Sequence, residues 1–395
     1  MLFISKNIFA LTLLELNENE EYKISELNLW HKVNLINDSL SFGAIKNAYE
    51  QTSAINHSTV TTTGSYVAKI SLINQSDSNN TWYVMPTANF IDKGVAFLEK
   101  SDGTVIALHE FSQLHDTQNP IYMHGQTFSI DTQKNEKYTL WIFVNAKIYA
   151  YPLSIKILSE QLFSKSKFEN NLITVISIAI MLTLSLIALM SYFSSQILIT
   201  LACSAYIGLH GVGWVVASGL LNDIFKQSTT NYTYGGIIIY PFAVAAASQY
   251  TKLLFDCDKH HPRLDTLLNR FAIISLIMGV LLLLITVLLP LVAVPIAFFI
   301  SHLIATIWIL LCTSIGIKMC SLSNRRSIYY LLGNTCYTVS MGIYVLSHFA
   351  IIESISLPEL WVVIALAFDC FCILLSLFSW LYHHPKHNPV YRPIT

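Results

Sequence analysis

From residue 172 to residue 382 the sequence is a succession of apolar runs, and no other feature constrains the chain as strongly. The runs are Leu172–Phe193, Ile197–Leu221, Gly236–Phe255, Phe271–Leu289, Leu291–Ile317, Tyr329–Phe349 and Leu360–Tyr382. A helix needs roughly 20 residues to cross about 30 Å of hydrocarbon, and each run is near that length. Seven membrane-crossing helices are therefore expected over residues 171–383. The weakest division is at Pro290, where the fourth and fifth runs meet. Together they hold about 47 residues, which favours two spans. Residues 384–395 are expected to be a short cytoplasmic tail without a folded module.

Composition separates two halves. The chain of 395 residues is 53% hydrophobic and 12% charged, against about 25% charged in soluble domains. Its net charge of −1 gives no reason to expect a nucleic-acid partner. All seven cysteines lie from Cys203 onward, so the polar half carries no disulfide framework. Cys370 and Cys372 stand two apart on a helix and point to different faces. Residues 1–21 are ambiguous: Met1–Leu16 reads as a signal-like leader without a small-residue cleavage site, or as the first strand of the next domain.

Residues 22–160 change to short β-branched and aromatic runs. These are Tyr66–Ile73, Thr81–Met85, Val95–Glu99, Val105–Phe111, Thr127–Ile130, Tyr138–Val144 and Leu153–Leu158, separated by Asp, Asn and Gly. The pattern predicts an all-β sandwich, with the clearest hairpin at Lys100–Gly103. Asn34–Gly64 reads as a long loop at the rim of a binding site, and 161–170 as a polar linker. His109, His115 and His124 are scattered and have no metal spacing. Trp82, Tyr83, Tyr138 and Trp141 are candidates for stacking on a sugar ring, although aromatics alternating on strands also fill sandwich cores.

If residues before the first run lie outside, the connections on the other side carry Lys259, Arg263, Arg270, Lys318, Arg325, Arg326, Lys386 and Arg392. The outer connections carry only Lys226. This bias predicts the N-terminus out and the C-terminus in, with Lys165 and Lys167 as mild counter-evidence. Asp256–Arg270 and Lys318–Ile328 are then the loops available to a cytoplasmic partner or to lipid headgroups. Tyr192, Trp361, Trp380 and Tyr382 sit near run ends, where aromatic anchors belong.

The order of a sandwich, the run Tyr151–Leu158 and seven helices resembles bacterial seven-transmembrane receptors with diverse intracellular signalling modules. The segment Thr81–Gly103 looks like the centre of their smaller, jelly-roll-like extracellular domain. Leu140–Val144 and the strand at Pro152 look like its closing strands. The resemblance implies an inner-membrane receptor for a small ligand, a carbohydrate among them, without enzymatic activity or cofactor. Such receptors usually continue into a kinase, cyclase or phosphatase. Signalling here is therefore expected to pass to a separate cytoplasmic protein, unless the chain is a truncated relative; homo-oligomerisation stays open.

Within the runs, Asp369 is an intramembrane carboxylate, a functional-site candidate by default. His210 and His302 lie at similar depth, and Gln249 and Asn334 nearer the inner ends. A cluster of Asp369 with either histidine is expected, as a switch, an ion site or interhelical glue. An ion-linked carrier using Asp369 is the second functional reading. Gly208, Gly211 and Gly213 predict close helix packing, and Pro241 and Pro295 predict kinks.

Overall fold

In a computed structural model the described residues are 5–8, 13–18, 20–35, 40–76, 78–86, 91–112, 127–149, 152–220, 235–321, 325–348, 351–352 and 358–383. The chain divides into two compact units, one mostly before residue 172 and one mostly after it.

The first unit holds two β-sheets. Strands β1 (Ser5–Ile8), β3 (Glu21–Ile24), β11 (Ile155–Ser159), β6 (Asn80–Pro86) and β9 (Phe128–Thr132) form a five-stranded sheet in the order β1-β3-β11-β6-β9. Strands β2 (Leu14–Leu16), β5 (Gly64–Asn74), β10 (Lys137–Ala146), β7 (Lys93–Lys100) and β8 (Val105–Ser112) run β2-β5-β10-β7-β8, and β4 (Trp30–Val33) also pairs with β5. Alternating side chains from both sheets meet in one core. Tyr22, Trp82, Ile130 and Ile157 come from the first sheet, and Leu16, Leu72, Leu98 and Leu140 from the second. The ambiguous leader thus supplies strands: β1 and β2 pair in parallel with β3 and β5, and Leu14 and Leu16 are buried.

Two turns are built alike. The Tyr22 hydroxyl accepts from Asn17 N at 2.7 Å and donates to Glu20 at 2.9 Å. The Tyr138 hydroxyl accepts from Gln133 N at 2.9 Å and donates to Glu136 at 2.5 Å. In each turn the tyrosine's ring enters the core while its hydroxyl satisfies an amide five residues back. The predicted β7–β8 hairpin is present, with Gly103 at φ +84° and Lys100 N bonded to Thr104 O at 2.9 Å.

The expected loop at 34–64 contains a helix, α1 (Phe42–Glu50), capped by Ser41. It covers the outer face of the six-stranded sheet, where Val67, Val95, Phe97, Trp141 and Phe143 are apolar and would otherwise meet water. The expected linker at 161–170 is also absent. Helix α2 (Glu160–Ser195) starts directly after β11 and runs for 36 residues. Its first turns pack on the outer face of the five-stranded sheet: Phe163 stacks on Tyr83 at 4.1 Å, beside Met85 and Leu158.

The second unit is helical: the rest of α2, then α3 (Leu198–Ala217), α4 (Gly235–Leu254), the short α5 (Cys257–His260), α6 (Pro262–Leu288), α7 (Pro290–Cys320), α8 (Arg325–His348) and α9 (Pro358–His383). Six of these helices are long and apolar enough to cross a membrane. Helix α8, with 24 residues, is long enough but more polar. Its buried positions Tyr330, Asn334, Tyr337 and Met341 recur at helical spacing and face protein rather than lipid. Leu289 alone separates the end of α6 at Leu288 from Pro290, which opens α7, so the fourth and fifth runs are separate helices.

Close packing follows from small residues. A Cβ at Gly208 would lie 2.6 Å from the Ser185 hydroxyl, and one at Gly211 3.0 Å from Leu182, so α3 lies tight on α2. Beside them Ser185 and Ser204 each donate to the other's carbonyl, at 2.9 and 3.0 Å. Pro241 inside α4 has no N–H to give the carbonyl of Ile237. The Ser301 hydroxyl of α7 takes that acceptor at 2.8 Å.

In the first unit burial holds the imidazoles of His31 and His109 below their ordinary range. His31 stacks on Tyr49 at 3.8 Å, and His109 lies against Phe111 and Phe128. The unfolded chain then binds more protons as pH falls below about 6.5. Their contribution to stability is complete above that value and is lost as pH drops through the folded-state values. Amide-exchange protection of β10, corrected for intrinsic rates, should fall between pH 7 and pH 5, and fall less in a His31→Gln/His109→Gln variant. Equal pH dependence in both proteins would contradict this assignment.

Candidate functional site

The aromatic side chains expected to stack on a ligand are not presented to one. Trp82 is fully buried between the sheets, and Tyr138 is committed to its turn; burial pushes its hydroxyl up to about 12. Trp141 lies under α1, with its indole N–H donating to Glu99 at 2.9 Å and Lys69 Nζ 5.2 Å from the ring centroid. Lys46 of α1 pairs with Glu99 at 2.9 Å and holds its carboxyl below the usual range. Tyr83 is stacked on Phe163. A sugar could reach Trp82, Tyr138 or Trp141 only after the core or α1 opened. His115 and His124 lie outside the described residues.

The helical unit encloses a polar seam. Asp369, fully buried on α9, accepts from the Tyr206 hydroxyl of α3 at 2.6 Å. Its other oxygen, Oδ1, has no hydrogen-bond partner among the described residues. The partner expected from sequence was a histidine, and the structure places both histidines otherwise. His210, one turn from Tyr206, donates through Nδ1 to the Tyr206 carbonyl at 2.9 Å and faces the rings of Tyr240 and Tyr337. His302 bonds Phe298 O at 2.8 Å and stacks with Tyr344 of α8. A tyrosine is the more economical clamp, because it brings an O–H donor without an imidazole's second polar nitrogen to satisfy.

Around this pair, tyrosines join the inward faces. Tyr250 of α4 bonds Ile373 O at 2.9 Å and Ser376 at 2.6 Å on α9. Tyr240 of α4 meets Tyr337 of α8 at 3.1 Å, and Thr251 meets Tyr330 at 3.0 Å. Asn334 turns its amide back onto Tyr330 O at 2.9 Å. Gly333 of α8 leaves the space Asp369 occupies: a Cβ there would lie 2.6 Å from Oδ1 and 3.1 Å from the Asp369 Cα. Reading for ionisable residues missed these tyrosines and Gly333. The available signal was the spacing Tyr330, Asn334, Tyr337, which puts them on one helical face.

Polar groups also tie α4, α6 and α8. Gln249 donates to Asn269 at 3.0 Å, Lys252 pairs with Asp265 at 3.0 Å, and Arg326 pairs with Asp256 at 3.2 Å. Asp256 holds the turn after α4 at φ 47°. Lys259, Arg263, Arg270 and Lys318 are exposed. The side chain of Arg325 lies outside the described residues. Among the described residues no group of three His, Cys, Asp or Glu side chains is placed to hold a metal.

No curated protein matches this chain. Among solved structures, a Cry1Da tryptic core variant of Bacillus thuringiensis aligns at 10% identity over 38% of this chain and 25% of that one, with a TM-score of 0.20. That likeness is too slight to bear on the fold, and this chain spans about a quarter of that protein. The family model described as 7TM diverse intracellular signalling matches residues 170–380, a range that includes both partners of the Tyr206–Asp369 bond. With more than half its length so matched, the chain belongs to the 7TM diverse intracellular signalling family.

Proposed function

We propose that this protein is a receptor of the bacterial inner membrane and not an enzyme. On this reading the two-sheet unit is a jelly-roll-like sandwich outside the cytoplasmic membrane that binds a small solute. Seven helices carry the change across, with the N-terminus out and the C-terminus in. A separate cytoplasmic signalling protein reads the inner segments Asp256–Arg270 and Lys318–Ile328, which were expected to be loops but whose described residues are mostly α5 and the ends of α6, α7 and α8. The reading is supported by the family match and, above all, by one local feature: β11 becomes α2 without an intervening residue.

A strand central to a sheet does not move without its neighbours, and β11 lies between β3 and β6. A displacement of that strand passes directly into α2. From α2 it reaches α3 through Ser185, Ser204 and Gly208, and Tyr206 of α3 holds Asp369 of α9. A ligand shifts this system only by its difference in affinity for two arrangements of the helices. The Tyr206–Asp369 bond is the contact that a slide of α3 along α9 would break.

Residues inserted after Asn171 test the coupling, because each rotates the rest of α2 by about 100°. The readout is maleimide labelling of Lys259→Cys, with Cys320 and Cys336 replaced by serine. One or two inserted alanines should change the labelling rate, and seven, which nearly restore the helical phase, should return it towards the parent value. Labelling independent of phase would contradict a stiff connection.

Oδ1 of Asp369, which has no hydrogen-bond partner among the described residues, favours the ion-linked carrier as the second reading. Asp369→Ala removes the acceptor of Tyr206 and should cost about 1–3 kcal/mol, seen as a lower thermal midpoint. Asp369→Asn keeps an acceptor and should cost less. Gly333→Ala should destabilise even in an Asp369→Ala background, because its Cβ would still lie 2.8 Å from the Cys372 Cβ and 3.1 Å from the residue 369 backbone. A receptor retains its labelling response in Asp369→Asn, whereas loss of proton-coupled flux in that variant would favour the carrier.

A further inference from the structure

The two-sheet unit carries a recess of about 440 Å³, lined by Lys32 and by residues 51–57 of the 34–64 segment expected at the rim of a binding site, among them Gln51, Thr52, Ser53, Asn56 and His57. Its size is in the range of small-molecule sites. Its lining is mostly polar, and none of the lining residues is acidic. Lys32 is exposed and has no ion-pair partner among the described residues. The amides, hydroxyls and imidazole offer both donors and acceptors, and the lysine offers one fixed positive charge. We propose that this recess is the receptor's ligand site and that it takes a small anionic solute whose oxygens are hydrogen-bonded by Lys32 and the 51–57 segment. The proposal rests on the receptor reading and deepens it by naming the site and the ligand's charge.

What sets this recess apart from an ordinary surface hollow is what its floor is bonded to. Ile55, buried behind the recess, donates to Trp30 O at 2.8 Å and accepts from Asn28 N at 3.0 Å. The Trp30 indole N–H donates to the carbonyl of Leu153. Four residues after Ile55, Thr59 donates to the buried carboxylate of Glu26 through its amide at 3.0 Å and through its hydroxyl. The same Glu26 oxygen accepts from Leu153 N at 3.0 Å. Leu153 N also meets the Thr59 hydroxyl at 3.0 Å. The segment that lines the recess is therefore tied at two points to Leu153, two residues before β11 and seven before α2. An anion that draws residues 51–57 toward Lys32 pulls on this knot, and the knot pulls on the strand that becomes the first helix. Glu26, Thr59 and Trp30 act as positioning residues in this arrangement.

The test uses the full chain in lipid nanodiscs with Ser53→Cys and with Cys320 and Cys336 replaced by serine. Ser53 is exposed at the rim, so the substitution removes no core contact. A sulfonatoethyl group, attached as a methanethiosulfonate adduct, stands in for a bound anion. A trimethylammonioethyl group of similar length is the opposite-charge control. Hydrogen exchange of amides 153–163 is measured in each. The sulfonate should slow exchange there severalfold, the ammonium should not, and Lys32→Gln should abolish the difference. Equal effects from the two charges, no effect from either, or the same protection from a sulfonate on Ser129→Cys of β9 would overturn the proposal. None of those results touches the insertion experiment on α2, so the receptor reading stands or falls separately.

Discussion

Between Ser159 and Glu160 the backbone passes from a sheet into a helix with no residue of linker. Much of the molecule's organisation depends on that junction. The residues that follow are polar, Gln161 to Asn171 with few apolar positions, and nothing in their composition forces a helix. They are held helical by what lies on either side. Phe163 and Leu162 are seated against Tyr83, Met85 and Leu158, and the apolar stretch from Leu172 onward has every reason to be helical in lipid, where each backbone polar group must be bonded internally. Propensity is a weak prior beside two such boundary conditions.

Inside the helical unit the same rule about polar groups decides which side chains matter. Pro241 would leave the Ile237 carbonyl bare, and Ser301 satisfies it from another helix. Asp369 would be a bare carboxylate, and Tyr206 donates to it. Tyr250 bonds the carbonyl of Ile373 and the hydroxyl of Ser376. Each bond crosses between helices, so each local need for a partner also fixes how two helices pack. The most central helix is α9, with 72% of its apolar stretch buried against 28% for α2 and α6. Asp369 of α9, the one buried carboxylate among the described residues of this unit, is accordingly met from α3 and α8 at once.

The long apolar runs were legible in the sequence because lipid imposes their length, and the strands because side chains alternate with period two. The misses have physical causes. Phe42, Ile45 and Tyr49 carry a helical period, but their flanks, rich in Ser, Thr and Asn, read as loop. The apolar outer face of β10, with Trp141 and Phe143, gave no hint of what covers it, so Trp141 looked available to a ligand until α1 was in place. Tyr206 is one aromatic among many in an apolar run, and only the packing of α3 on α9 makes it the partner of Asp369. The turn at Asn17–Tyr22 and that at Gln133–Tyr138 share a Glu two residues before the Tyr and an amide five before it. That repetition was visible in the sequence, although its use as a turn anchor was not.

Hydrogen exchange across residues 155–175 of the intact protein tests the central claim most directly. A continuous strand-to-helix connection predicts amide protection that extends without a gap from Ile157 through Asn171 into the apolar part of α2. Exchange at unprotected rates over 161–170, between protected flanks, would mean a flexible tether and would contradict the account.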